Sequence, residues 1–150
     1  MEYYSALFAF LHHLAAFTLV AALAVEFVLI RSELTLTNAR LLQRADIVFG
    51  AAATVILIVG LLRVFYFEKG ADYYFSNHSF LTKLGLFAIV GVISIWPTLE
   101  FLSWRKATAA GQVPTVTPAR LKLIRRLIHI ELAGIVLIIA CAAMMARGIG

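Results

Sequence analysis

Four long apolar stretches alternate with three polar joints along this chain of 150 residues. The stretches cover about 5–30, 45–67, 80–102 and 127–146, and each supplies the roughly 20 mostly apolar residues that a helix needs to cross a bilayer. None shows the ten-residue alternation of a membrane β-barrel strand. The joints, 31–44, 68–79 and 103–126, are polar. Thr35 or Thr37 is placed to cap a short surface helix leading into the second stretch. Pro114 and Pro118 break the third joint, and Pro97 is expected to kink the third span. The pattern predicts an all-α integral membrane protein: a single domain over 1–150, folded as a four-transmembrane-helix up-and-down bundle.

Composition agrees with a chain that uses lipid as solvent. Hydrophobic residues make up 63% of it and its mean hydropathy is +0.95, above the usual apolar share of a soluble domain. The formal charge of +5 does not point to nucleic acid, because no recognition motif accompanies it and the basic residues flank the spans. They do so asymmetrically. The first joint carries Arg31, Arg40 and Arg44; the third carries Arg105, Lys106, Arg120, Lys122, Arg125 and Arg126; the opposite side has only Lys69 and Arg147. Nine against two puts the first and third joints in the cytoplasm, with both termini and the second joint on the non-cytoplasmic side. The expected location is a bacterial inner (plasma) membrane, crossed four times. Ala22-Leu23-Ala24 has the look of a signal-peptide cleavage site, but no basic segment precedes it and the apolar run continues through Ile30, so the segment reads as a retained span.

The first span carries the chemistry. Residues 5–30 contain no Lys or Arg, yet hold His12, His13 and Glu26. Ionisable groups inside a span are costly and mark places where something is bound or moved. Glu26 lies roughly 40° from the face of His12, while His13 points roughly 100° away. Ala9, Ala16 and Leu23 share the His12 stripe, which suits a face turned inward. His12 is therefore favoured over His13. Arg63 lies one turn from the outer end of the second span and Lys83 one turn into the third from the same side. The spacing predicts that these residues meet in the outer leaflet beneath Tyr66, Phe67, Tyr73 and Tyr74.

A histidine opposite a lysine, with an arginine nearby, suits a tetrapyrrole. An imidazole nitrogen and a deprotonated amine are axial ligands, and a guanidinium matches a propionate. Phe8, Phe87 and the alanine stripe would line the slot. The expected metal ligands are His12 and Lys83, with His12, His13, Lys83 and Arg63 as the cofactor-binding set and haem b as the cofactor. No catalytic residue is assigned. Glu26 and Asp46 are expected to pair with arginines at the inner boundary, His129 and Glu131 to partner the basic third joint, and Trp96 and Trp104 to anchor at the interface or pack. Cys141, the one cysteine, reads as a small hydrophobe, and no thiol metal motif or c-type haem site exists.

Leu61 to Gly70 (LLRVFYFEKG), followed by Tyr73-Tyr74, Asn77, Phe80 and Lys83, resembles the bacterial predicted-membrane-protein family called domain of unknown function 2214. That resemblance covers essentially the whole chain and implies a membrane fold without an activity. More remotely, Leu11-His12, Lys83-Leu84, and Arg125 or Arg126 with Glu131 are similar to positions in the HemJ-type four-helix protoporphyrinogen IX oxidases. The chain departs from that pattern at Ile130-Glu131 and lacks its Trp after the first His. The resemblance implies b-type haem held by His and Lys, and oxidation of a porphyrinogen. The expected function is thus a membrane-embedded b-type haem redox protein acting on a porphyrin-like or quinone-like molecule. The alternative is a non-enzymatic transporter subunit or assembly partner with structurally paired charges. Expected partners are the lipid bilayer, that small molecule and, for a pore, further copies of the chain.

Overall fold

A computed structural model describes residues 2–149. The chain forms α1 (Glu2–Leu29), α2 (Leu36–Leu62), a short α3 (Ala71–Phe75), α4 (His78–Ser103), a short α5 (Arg105–Ala109) and α6 (Pro118–Ala146). Between α2 and α3 the helix widens into one π-helical turn over Arg63–Phe67. The four long helices are apolar enough and long enough to span a membrane. They pack as an up-and-down bundle. α1 lies along α2, α4 lies along α6, and lighter α1–α6 and α2–α4 contacts close the ring. α1 and α4 are therefore diagonal partners with no close backbone approach among the described residues. Any slot between the first and third spans is the bundle interior, not a helix–helix seam.

Local signals set the helix starts. Thr35 caps α2 by accepting from Asn38 N at 3.1 Å, Asn77 caps α4 by accepting from Phe80 N at 2.9 Å, and Thr117 caps α6 ahead of Pro118. One expectation is corrected here. Thr35 starts no separate surface helix; α2 runs continuously from Leu36 into the span. α4 likewise continues through Pro97, which forfeits one backbone bond but sits fully buried.

The apolar outer faces, including Phe10, Phe17, Ile47, Val92 and Val136, are exposed. Only lipid satisfies such a surface. Inside, packing is uneven along the bundle. Leu19, Leu23, Ile30, Leu42, Phe49, Phe101, Ile124, Ile128 and Ile135 make one core, in the half towards the basic joints. Among the described residues α1 buries nothing before Ala15 and α6 nothing after Ile135. At Gly134 of α6 a Cβ would stand 2.5 Å from Val90 Cγ2 of α4. Close approach at small residues is how membrane helices gain contact without a hydrophobic drive. The basic end is further tied by Arg125 Nε donating to Ile30 O at 2.8 Å, and by Arg40 Nη2 donating to Thr108 O at 2.8 Å. The opposite end is the looser one.

Candidate functional site

In the looser end, His12 is half-buried on α1. Its imidazole turns towards α2, with Cε1 3.5 Å from the place a Gly60 side chain would begin. The ring thus packs on α2 beside Gly60, where a Cβ would meet it at ordinary van der Waals distance and a longer side chain would crowd it. His12 Nδ1 is buried and makes no hydrogen bond of good geometry, although the Ile56 backbone one turn before Gly60 acts on the ring as a hydrogen-bonding group does. Arg63 and Lys83 both act electrostatically on the His12 ring, and Arg63 on Lys83. Three residues from three spans are thus gathered at one end of the bundle. Lys83 is half-buried, with Nζ 5.3 Å from the Phe80 ring centroid. Cys141 of α6 lies within its electrostatic reach.

Arg63 is already engaged. Its Nε and Nη2 both donate to Glu68 Oε1, at 3.2 and 2.5 Å. The π-helical turn brings this pair together across the end of α2. His13 sits elsewhere: it is exposed, and its Nδ1 bonds the Ala9 carbonyl at 2.6 Å within its own helix. The roughly 100° between neighbouring helical residues separates the two histidines. Of the predicted slot walls, Phe8 stacks on Phe67 with centroids 4.6 Å apart. Phe87 lies deeper and lines a separate cavity.

An aromatic layer covers this end. Ser5 Oγ donates to Phe67 O at 3.3 Å, and the Tyr74 and Phe75 rings pack on Phe80 with centroids 5.2 and 5.7 Å away. Lys69 stands over the Tyr73 ring at 4.4 Å. Burial pushes the Tyr74 phenol above its usual range, and the Glu68 carboxylate adds to the shift. A phenol so held stays protonated and available as a donor.

A second polar group occupies the tighter half. Glu26 of α1, Asp46 of α2 and Glu131 of α6 are all buried and close enough to act on one another electrostatically. Thr98 of α4 completes the layer by donating to Asp46 Oδ1 at 2.7 Å. The sequence-based pairing fails for all three acids. Among the described residues neither Glu26, Asp46 nor Glu131 forms a salt bridge, because the arginines lie at the rim while these carboxyls sit inside it. The acid that does pair is Glu100, whose Oε2 accepts from Arg120 Nη2 at 2.6 Å and whose Oε1 accepts from Trp104 Nε1 at 3.1 Å. Trp104 is buried, so it packs and donates there and does not anchor at the interface. Glu100 was legible only as one acid near a basic joint; its partners lie in other turns and another helix. No three His, Cys, Asp or Glu side chains among the described residues converge closely enough to hold a metal ion.

Fold and surface define a multi-pass, four-span membrane protein in contact with lipid. The chain belongs to the family described as Predicted membrane protein (DUF2214), whose sequence pattern matches residues 4–150. No curated protein and no solved structure matches it.

Proposed function

We propose that the chain is a b-type haem protein of the bacterial inner membrane, with a redox function on a porphyrin-like or quinone-like substrate. One observation carries the reading. A buried imidazole nitrogen without a partner lies in the loosely packed end of the bundle, beside a lysine and an arginine. The donor set fits haem in kind: an imidazole with a free lone pair, an amine that binds iron once it has lost its proton, and a guanidinium for carboxylates. His12 and Lys83 would be the residues that hold the iron. Arg63 would share its guanidinium between Glu68 and a propionate. When bound, haem would supply one-electron chemistry at iron.

The chain's own residues orient and shield. The imidazole lies against α2 beside Gly60. Tyr74, Phe75 and Phe80 pack over the Lys83 end and would limit water there. The excess of Lys and Arg at the first and third joints supports a cytoplasmic placement of that end, with the His12 end on the far side. The HemJ-type likeness at Leu11-His12 and Lys83-Leu84 is what points to porphyrinogen oxidation as the specific activity.

The test is the visible spectrum of detergent-purified protein from haem-replete cells, oxidised and dithionite-reduced, with His12→Ala and Lys83→Ala alongside. A Soret band near one haem per chain in the wild type, lost or shifted in both variants, is expected. A colourless wild-type protein would overturn the reading. That result would favour a transporter subunit or assembly partner, for which the unpaired acids of the tighter half would line a polar path.

A further inference from the structure

We propose that Glu26, Asp46 and Glu131 form an intramembrane proton-binding site, filled and emptied from the basic end of the bundle through a vestibule that reaches Asp46. The proposal is independent of the haem reading, which concerns the other end of the molecule.

The first support is the pairing that is missing. Glu26 and Glu131 are each only 2% exposed, and each leaves Oε1 without any hydrogen-bond partner. A carboxylate in that position, lacking a cation and a donor, is costly enough that it takes up a proton instead. Among the described residues no cation forms a salt bridge with the layer, although Arg44 and Arg105 line the vestibule beside Asp46. Arg125 donates to Ile30 O, Arg120 to Glu100 and Arg40 to Thr108 O. The three acids do not converge tightly enough for a metal ion, so the proton is the cation that suits them. A protonated carboxyl also gains an O–H, a donor that Glu26 and Glu131 lack as carboxylates.

The second support is access. Asp46 lines an open cavity of about 360 Å³ at the basic end, together with Arg40, Gln43 and Arg105. On its other side Asp46 accepts from Thr98, which borders a second, mostly apolar cavity of about 250 Å³ reaching past Ser94 to Phe87. Asp46 and Thr98 thus form the partition between a polar vestibule and the apolar interior. A proton from water in the vestibule would add to the Asp46 carboxylate and pass to Glu26 or Glu131, each donor returning to the carboxylate form as the next is protonated. The groups facing the layer are few. α2 offers Asp46, with Arg40, Arg44 and Arg105 around the vestibule it opens into, and α6 offers Glu131, with Arg125 and the His129 ring, 6.0 Å from Phe27, nearer the basic end. α4 offers only the Thr98 hydroxyl, its Glu100 being tied to Arg120.

The experiment is labelling of the full-length protein in lipid nanodiscs with dicyclohexylcarbodiimide, an apolar reagent that adds to protonated carboxyl groups, read by peptide mass spectrometry across pH. Glu26 and Glu131 are expected to carry the label, with a yield that falls as pH rises, while paired Glu100 stays unlabelled. Infrared spectra of the same sample supply a readout that needs no reagent access. A protonated-carboxyl C=O band at neutral pH should shift on transfer to D₂O, shrink in Glu26→Gln and in Glu131→Gln, and exchange more slowly in Asp46→Asn. Absence of that band at neutral pH would overturn the proton site. A band that persists undiminished in both Gln variants would do the same, and exchange unchanged in Asp46→Asn would overturn the route through the vestibule.

Discussion

The two ends of the bundle interior hold polar groups of opposite sign and opposite packing. Towards the termini, His12, Arg63 and Lys83 gather in a half-buried setting with Glu68 as the single acid paired among them. Towards the basic joints, Glu26, Asp46 and Glu131 gather in the tight core with one hydroxyl, Thr98, as the recorded donor. Had these residues served only structure, the acids and bases would have been expected to pair within one layer. They are instead segregated along the membrane normal, roughly 20 Å apart along α1 between His12 and Glu26. The lesson is that the ionisable groups inside this membrane protein are sorted by type along the bundle, with His12 Nδ1, Glu26 Oε1 and Glu131 Oε1 buried without a hydrogen-bond partner.

That contrast can be broken at its loose end first. Gly60→Leu would drive a side chain into the space beside the His12 ring, where a Cβ alone already stands 3.5 Å away. The expected outcome is complete loss of any wild-type Soret band with unaltered carbodiimide labelling at Glu26. If labelling falls as well, the two clusters are not independent. Next in size is the paired acid. Arg120→Ala leaves Glu100 buried with Trp104 as its remaining donor. The loss should be about 2 kcal/mol, below the value for a fully enclosed pair because Arg120 is half-exposed. The midpoint of unfolding in mixed micelles measures it. The smallest effects belong to the acidic layer. Thr98→Val removes the donor to Asp46 and should cost about 1 kcal/mol. Glu26→Gln replaces one neutral group by another of the same shape, and its unfolding midpoint should differ from wild type by less than about 0.5 kcal/mol. A Glu26→Gln penalty as large as that of Arg120→Ala would mean that Glu26 is ionised and paired after all.

Much of this was legible in the chain. The four spans, the capping by Thr35 and the inward stripe of His12 and Glu26 follow from hydrophobic period and helical geometry, which act over a few residues. Leu23 on that stripe is indeed fully buried and Ala16 half-buried, and His13 lies off it. The placing of His12, Arg63 and Lys83 at one end of the bundle also followed, since depth in a span is simple counting along a helix. Which acid would pair did not follow. Glu26, Asp46 and Glu100 all stand near basic joints in sequence, yet only Glu100 meets an arginine among the described residues. Nothing local to Glu131, in the first turns after a run of arginines, shows that it turns away from them into the core.

The sequence by itself determined a four-span membrane bundle, although α2 and α6 each begin nine residues before the apolar stretches at 45 and 127 do. Length, hydropathy and helical period are properties of one segment at a time, so no tertiary knowledge is needed for them. Only the tertiary structure decided that the first and third spans are diagonal, that His12 packs beside Gly60, and that three carboxyls share one layer without a salt bridge among the described residues. Those facts depend on how four helices rotate about their own axes against one another, and that rotation is set by packing of the whole bundle at contacts such as Gly134 against Val90.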